Sequence, residues 1–240
     1  MTEKHICPLA KFSKHKTDDY HCNQQCGASI AVQARYEAAN IPDGYRNIYL
    51  DNSPVRDDQE AIYKALDAYM KTFIQEDVQI KNLYLSSKSP GTGKTTTSIV
   101  ILNEWIRRRF LYFAKKGETI PEVLGLFMDV TEFQNRYNMA TLSNDDEEMA
   151  RIASDIRKYS EAPFLVVDDL GVRSATEAFR GYLHTIINAR VSRGKPTVYT
   201  SNEQIDSLKT IFDARLYDRV RDQTLEMSFS GGSKRGRRTT

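Results

Sequence analysis

Apolar residues recur along this chain with two periods, and the switches between them mark out alternating helices and strands. Residues 28–39 form an alanine-rich run carrying Ile30, Val32 and Tyr36 and read as a helix. Residues 40–58 are punctuated by Pro, Gly and Asn and read as a joint with little regular structure. Residues 57–75 place Ile62, Leu66, Tyr69, Met70 and Phe73 at spacings of three and four, which predicts an amphipathic helix. Leu83, Tyr84 and Leu85 mark a short strand, followed by a helix to about residue 116 with Ile101, Leu102, Trp105 and Ile106 facing inward. Residues 123–130 (VLGLFMDV) read as a buried strand, and 131–140 and 145–159 as helices. Residues 162–171 (APFLVVDDLG) describe a fully buried strand whose C-terminal tip enters a site. A long helix over 174–193, with Phe179, Leu183, Ile186 and Ile187 inside, leads to a short strand at 197–202 (TVYTSN). Residues 206–222 carry an apolar spine of Leu208, Ile211, Phe212, Leu216 and Val220, and 224–229 alternate as a last strand. This alternation predicts a three-layer α/β domain on a parallel five-stranded sheet, with any ligand at the strand C-termini.

The length of 240 residues suits one ordinary domain plus a small appendage, and an apolar fraction of 40% can build its core. No segment approaches the roughly 18 apolar residues of a membrane span, and the first residues hold no apolar block of the secretion type. The expectation is a soluble, cytoplasmic protein. The net charge of +2 is unevenly spread, because Lys234, Arg235, Arg237 and Arg238 crowd the last few positions. The remainder is slightly acidic, which argues against generic nucleic-acid binding by the whole body and for a local basic tail.

The organising stretch is 81–97, KNLYLSSKSPGTGKTTT. Strand, glycine loop, Lys-Thr and helix follow in the order of a phosphate-binding P-loop. Pro90, Gly91, Thr92, Gly93, Lys94, Thr95 and Thr96 are the candidate nucleotide-binding residues. Glycines let backbone N–H groups close around phosphate oxygens, and the helix that starts here turns unpaired N–H groups to the anion. Lys94 would neutralise β- and γ-phosphate charge, and the Thr95 hydroxyl would take one Mg²⁺ position. The full pattern G-x-x-x-x-G-K-[ST] wants glycine where this chain has Lys88.

Asp168 and Asp169, at the tip of the later strand, are the matching carboxylates. Asp168 would hold Mg²⁺ through water and Asp169 would polarise an attacking water. Most ATPases of this broad class carry Glu at the second place, so the shorter Asp predicts slow hydrolysis. Asn202 can both donate to and accept from a water, and a strand beside the Asp-Asp strand can bring it between Asp169 and the γ-phosphate. Arg107, Arg108 and Arg109 read as a solvated helix face, and Trp105 as core.

The three cysteines, Cys7, Cys22 and Cys26, lie near the N-terminus with three of the four histidines. An odd number argues against a disulfide framework. Cys7, His15, Cys22 and Cys26 offer four ligands of the kind tetrahedral zinc needs, with His21 and His5 as alternatives for the histidine place. So short a segment cannot bury a core of its own, and a metal would supply the missing stability. The expected organisation is a zinc-binding module at 1–38 and an ATPase domain at 39–240.

The order P-loop, LVVDDLG, TVYTSN, ARLYDRV, SGGSKR resembles the AAA+ ATPases of the DnaC/DnaI-type replicative helicase loaders, with the transposition helper IstB as a cousin. The resemblance implies ATP, Mg²⁺, a hexameric replicative helicase and single-stranded DNA as ligands and partners, and self-association through the ATP sites. It implies that Lys94 and Thr95 are the phosphate and Mg²⁺ residues, that Asp168 and Asp169 are the acidic pair, and that Asn202 senses γ-phosphate. Arg219 corresponds to an arginine finger given to a neighbouring subunit, with Arg215 as alternative, and Arg235 to a C-terminal arginine. In these loaders the helical region after Val130 binds single-stranded DNA, so Phe133, Arg136 and Tyr137 are candidates to stack bases and meet phosphate, although the same residues also suit an ordinary amphipathic helix. Other readings are a transposase helper and a nucleotide-binding adaptor without hydrolysis.

Overall fold

The computed structural model describes residue 9 and residues 26–76, 78–171, 176–210 and 212–233. Among them, five parallel strands form one sheet in the order β2-β3-β4-β1-β5. The strands are β1 (Asn82–Ser86), β2 (Leu126–Asp129), β3 (Leu165–Asp168), β4 (Thr197–Ser201) and β5 (Thr224–Ser228).

Strand side chains alternate between faces, and each face has its own core. Leu83, Leu85, Phe127, Phe164, Val166 and Val198 pack with helices α1 (Gly27–Ala38), α2 (Glu60–Tyr69) and α3 (Lys94–Lys116). Tyr84, Leu126, Met128, Leu165, Val167 and Tyr199 pack with α4 (Val130–Ser143), α5 (Asp146–Glu161), α6 (Glu177–Ser192) and α7 (Ala214–Asp222). The three layers follow from that split. After β1 the chain crosses to β2 at the far edge, steps back through β3 and β4, and passes β1 to reach β5. The switch in direction lies between β1 and β4, where open α/β sheets present a crevice at the strand C-termini.

Short polar residues set most helix starts. The side chains of Asp129, Asp145, Thr176 and Asp213 accept from the backbone N–H of Glu132, Glu148, Phe179 and Leu216. Helix α3 ends at Gly117 in the left-handed conformation (φ 68°), whose N–H donates back to Ala114 O.

The structure revises several boundaries. The helix expected over 57–75 is α-helical only for Glu60–Tyr69, with 3₁₀ turns at Asp57–Gln59 and Met70–Ile74. The 206–222 spine breaks at the Asp213 cap into a 3₁₀ turn, Ile205–Thr210, and α7. Val32 and Tyr36 of helix α1 are buried in the same core as α2 and α3, and the Phe127 N–H donates to Ala39 O at 2.8 Å. Trp105 is core, stacked on Phe164 with its indole N–H on Leu124 O.

The arginine triplet is not a solvated face. Arg107 is 2% exposed, paired with the fully buried Glu104, and its guanidinium lies 4.2 Å from the centre of the Tyr49 ring. Arg108 reaches the other Glu104 oxygen at 3.1 Å. Burial pushes the Glu104 carboxyl up, but the two guanidiniums outweigh it and hold the group below its ordinary range.

Candidate functional site

A cavity of about 920 Å³ opens at the C-terminal ends of β1, β3 and β4. Pro90, Gly91, Gly93, Lys94, Thr95 and Thr96 line one side of it, and Asp168, Asp169 and Asn202 another. The two landmarks of the sequence, far apart in the chain, therefore meet. Thr92 is buried and is not among the lining residues.

The loop takes its shape from residues that fit few alternatives. Gly91 and Gly93 have φ of 73° and 99°, a region that L side chains rarely adopt. A Cβ on Gly91 would overlap the Ser233 hydroxyl, and one on Gly93 would lie 2.7 Å from Val55 Cγ1. Lys88, in the place where the motif prefers glycine, is exposed. The turn into the loop is instead set by Ser87, whose hydroxyl donates to Ser89 O at 2.8 Å and accepts from Ser89 N–H at 3.1 Å.

Helix α3 begins at Lys94, so its unpaired N–H groups face the loop. Lys94 is 8% exposed and its Nζ donates to Asn202 Oδ1 at 2.9 Å. Asn202 Nδ2 donates in turn to Asp169 Oδ1 at 3.4 Å. A lysine, a carboxamide and a carboxylate thus form a chain across the cavity wall. Thr95 Oγ1 donates to Asp168 Oδ2 at 2.9 Å, while Thr200 Oγ1 donates to Asp168 Oδ1 at 2.7 Å and accepts from Asp169 N–H at 2.9 Å. Asp168 is 5% exposed, and burial lifts its carboxyl to about 6 despite the two hydroxyl donors; Asp129 and Asp169 add to the rise. Asp169 is exposed and holds φ 56°, which turns the backbone sharply out of β3.

The residues present fit a magnesium nucleotide. Left-handed glycines, a helix N-terminus and Lys94 suit phosphates, and a threonine hydroxyl bonded to a buried carboxylate gives the hard oxygen pair that Mg²⁺ accepts.

Some lining residues had escaped the sequence reading. Asp129, level with Asp168 across the β2–β3 pair, faces the cavity while capping α4. Thr200 sits inside the quoted TVYTSN, two residues before the Asn202 that drew attention. Tyr45, Pro54, Val55 and Asp58 come from the stretch read as an irregular joint.

Other candidates lie elsewhere. Arg219 is half-buried on α7, donating to Asn188 Oδ1 at 3.2 Å and Ser192 Oγ at 3.1 Å, and does not line this cavity. Arg215 is exposed. Of the base-stacking trio, Phe133 is buried, whereas Arg136 and Tyr137 are half-buried. Phe133 is 2% exposed, Arg136 is held by Glu148 (2.7 Å) and Asp155 (3.0 Å), and Tyr137 packs edge-on against Tyr182. Cys7, His15, Cys22 and Arg235 lie outside the described residues. Cys26 is exposed just before α1. Among the described residues no cluster of metal ligands occurs, and no helix is long and apolar enough to cross a membrane.

No family model matches the chain. Among curated proteins it is similar to the replicative helicase loader DnaC of Escherichia coli (strain K12), 23% identical over 212 residues that cover 88% of this chain and 78% of that protein. It is also similar to the replicative helicase loader DnaI of Bacillus subtilis (strain 168), 26% identical over 216 residues covering 88% of this chain and 57% of that one. Among solved structures, a crystal structure of DnaI matches with a TM-score of 0.59 at 21% identity, covering 84% of this chain and 100% of the other. The replication initiator DnaA bound to AMPPCP and single-stranded DNA matches with a TM-score of 0.54 at 18% identity, covering 80% and 51%. The α/β fold and five-stranded parallel sheet expected of an AAA+ domain are thus present, and the resemblance to DnaC/DnaI-type loaders is carried by both kinds of comparison.

Proposed function

We propose that this chain is an ATP-dependent loader that binds a hexameric replicative helicase and delivers it to single-stranded DNA during replication. The observation that carries the reading is the meeting of the Lys94 turn with Asp168, Asp169 and Asn202 in one cavity, in a chain similar to loaders over 88% of its length. The transposase-helper alternative is less well supported, because the curated relatives are helicase loaders.

In this reading, Mg·ATP supplies a transferable γ-phosphate and a metal that neutralises its charge. The chain's own residues do the rest. Backbone N–H groups of the loop and Lys94 hold the phosphates; Thr95 and Asp168 hold the metal. Asp169 orients the attacking water and takes its proton, and Asn202 fixes the position of the γ-phosphate. Asp169 is one methylene shorter than the usual glutamate, so turnover is slow and ATP works mainly as a switch. Arg219 completes a neighbouring subunit's site when the ATPase domains line up. At the N-terminal end, Cys7, His15, Cys22 and Cys26 bind zinc and form the helicase-gripping module, in the cytoplasm; elemental analysis showing one zinc per chain is the expected result.

A pull-down against a panel of hexameric replicative helicases, with and without Mg·ATP, tests the loader reading. The expected result is nucleotide-sensitive retention of a helicase by the wild-type chain and loss of that sensitivity in Lys94→Ala. A wild-type chain that binds Mg·ATP yet retains none of the helicases overturns it.

A further inference from the structure

The wall of the nucleotide cavity contributed by Tyr45, Pro54 and Val55 belongs to a segment with little repeating backbone structure of its own. Two 3₁₀ turns, Asp43–Tyr45 and Asp57–Gln59, are its regular parts. Its shape must therefore be imposed from outside. The imposing groups lie on α3, the helix whose first residue is Lys94.

Asn103, about two and a half turns beyond Lys94, is fully buried, and its Nδ2 donates to Tyr45 O at 2.7 Å and to Ile48 O at 2.8 Å. The next residue, Glu104, is also fully buried, and its Oε1 accepts from Leu50 N–H at 3.4 Å. Leu50 O in turn receives Arg56 Nη1 at 2.7 Å. At the far end of the segment, Val55 is in contact range of Gly93. One helix thus carries the phosphate turn at its start and, further along, the clamp on the neighbouring wall.

Packing alone does not call for asparagine here. The Asn103 Oδ1 is buried without a hydrogen-bond partner among the described residues, a cost that leucine or methionine at the same place would avoid. The compensation is on the donor side, where one NH₂ group satisfies two carbonyls of irregular backbone.

We propose that Asn103 is a positioning residue for the nucleotide, holding the backbone at Tyr45 and Ile48 so that Tyr45, with Pro54 and Val55, forms the wall that receives the nucleoside end while the loop around Lys94 holds the phosphates. The proposal rests on reading the cavity as a nucleotide site. It assigns recognition of the two ends of one ligand to two parts of the same helix. Loss of the clamp loosens the nucleoside wall and leaves the phosphate turn in place.

The test compares two ligands, ATP and inorganic tripolyphosphate, by calorimetric titration with Mg²⁺ present. Asn103→Ala is expected to weaken ATP about tenfold, the loss of roughly one net hydrogen-bonded contact's worth of order, and to change tripolyphosphate binding less than about twofold. Lys94→Ala is expected to lose both ligands. Hydrogen exchange of backbone amides in 45–50 should speed up in Asn103→Ala, with 91–97 unchanged. If Asn103→Ala does not fold, Asn103→Ser, which keeps a shorter hydroxyl donor, is read the same way. Wild-type protein that binds neither ligand overturns the nucleotide site itself. Wild-type protein that binds ATP, with Asn103 variants that match it or that lose both ligands in step, overturns the positioning role alone.

Discussion

Asp168 is a carboxylate held where burial opposes its charge. Its folded value of about 6 lies above the unfolded value near 3.9, so ionising it costs the free fold. The stability that the protonated carboxyl contributes is fully present below about pH 4 and is lost as pH rises through about 6, a loss of about 3 kcal/mol by neutral pH. Asp168→Asn removes the cost while keeping groups that can bond Thr95 and Thr200. It is expected to raise the melting temperature of the nucleotide-free protein by roughly 5 °C or more at pH 7.5, and by less at pH 5. The same substitution takes away the metal's carboxylate, so Mg²⁺-dependent nucleotide binding should fall steeply. Scanning calorimetry at the two pH values, paired with nucleotide titration, checks both halves; a variant that is less stable at pH 7.5 contradicts the burial argument. Gly91 is a second residue whose identity is dictated locally. Its φ of 73° and the closeness of Ser233 leave no place for a methyl group. Gly91→Ala is expected to weaken nucleotide binding at least about tenfold with an unchanged far-UV circular dichroism spectrum, since the strain of a left-handed non-glycine residue is of order 1–3 kcal/mol and falls on the phosphate turn.

Among the elements, the junction of α5, α6 and β4 depends on one buried cation. Among the described residues no carboxylate is bonded to Arg190; it donates instead to Thr197 Oγ1 and to the carbonyls of Tyr159, Ala162 and Pro196 at 2.7–2.9 Å. Burial lowers it to about 10, so it stays charged at neutral pH, solvated by the ends of two elements in place of water. Arg190→Met keeps the apolar stem but strands three carbonyls. A loss of about 3 kcal/mol or more is expected, read as a lower urea midpoint with an unchanged slope. This role was invisible in the sequence, where Arg190 looks like a helix-end cation of no special weight. The same reason explains the misreading of Arg107, whose partner Tyr49 is distant in the chain. The central strands were legible because short, continuous apolar runs between turn signals mark strands buried on both faces, and the gathering of Lys94, Thr95, Asp168, Asp169 and Asn202 was legible because chemistry and spacing coincide there. Tyr45 and Val55 were not, because an irregular segment has no period, and its position over the loop is set by Asn103 and Glu104 across the fold.

At the scale of the whole molecule, the site is open and its candidate arginine is elsewhere. Arg219 lies in the last turn of α7, which leads directly into the start of β5, whereas the cavity opens at the strand C-termini. Its bonds to Asn188 and Ser192 tie it to α6 of its own subunit and hold the guanidinium on that surface. A residue so placed can act on a nucleotide only across a head-to-tail interface, in which one subunit's α7 surface meets the next subunit's cavity. That arrangement makes a specific prediction for mixed assemblies. Asp169→Asn keeps a residue that tolerates the left-handed conformation and removes the water-orienting carboxylate; Arg219→Ala keeps Asp169 and removes the arginine. Each variant alone should hydrolyse ATP far more slowly than the wild type, since an arginine supplied across subunits contributes about 10³–10⁵ in rate in related phosphoryl transfer. A one-to-one mixture should recover roughly a quarter of wild-type turnover, the chance that an Arg219→Ala subunit, with its Asp169 intact, is followed by a subunit whose Arg219 is intact. Phosphate release measured across a series of mixing ratios, with helicase and single-stranded DNA present, gives the curve. A mixture no faster than the mean of its two components means that Arg219 serves only its own chain, and an Arg219→Ala chain as fast as the wild type means that it serves no site at all.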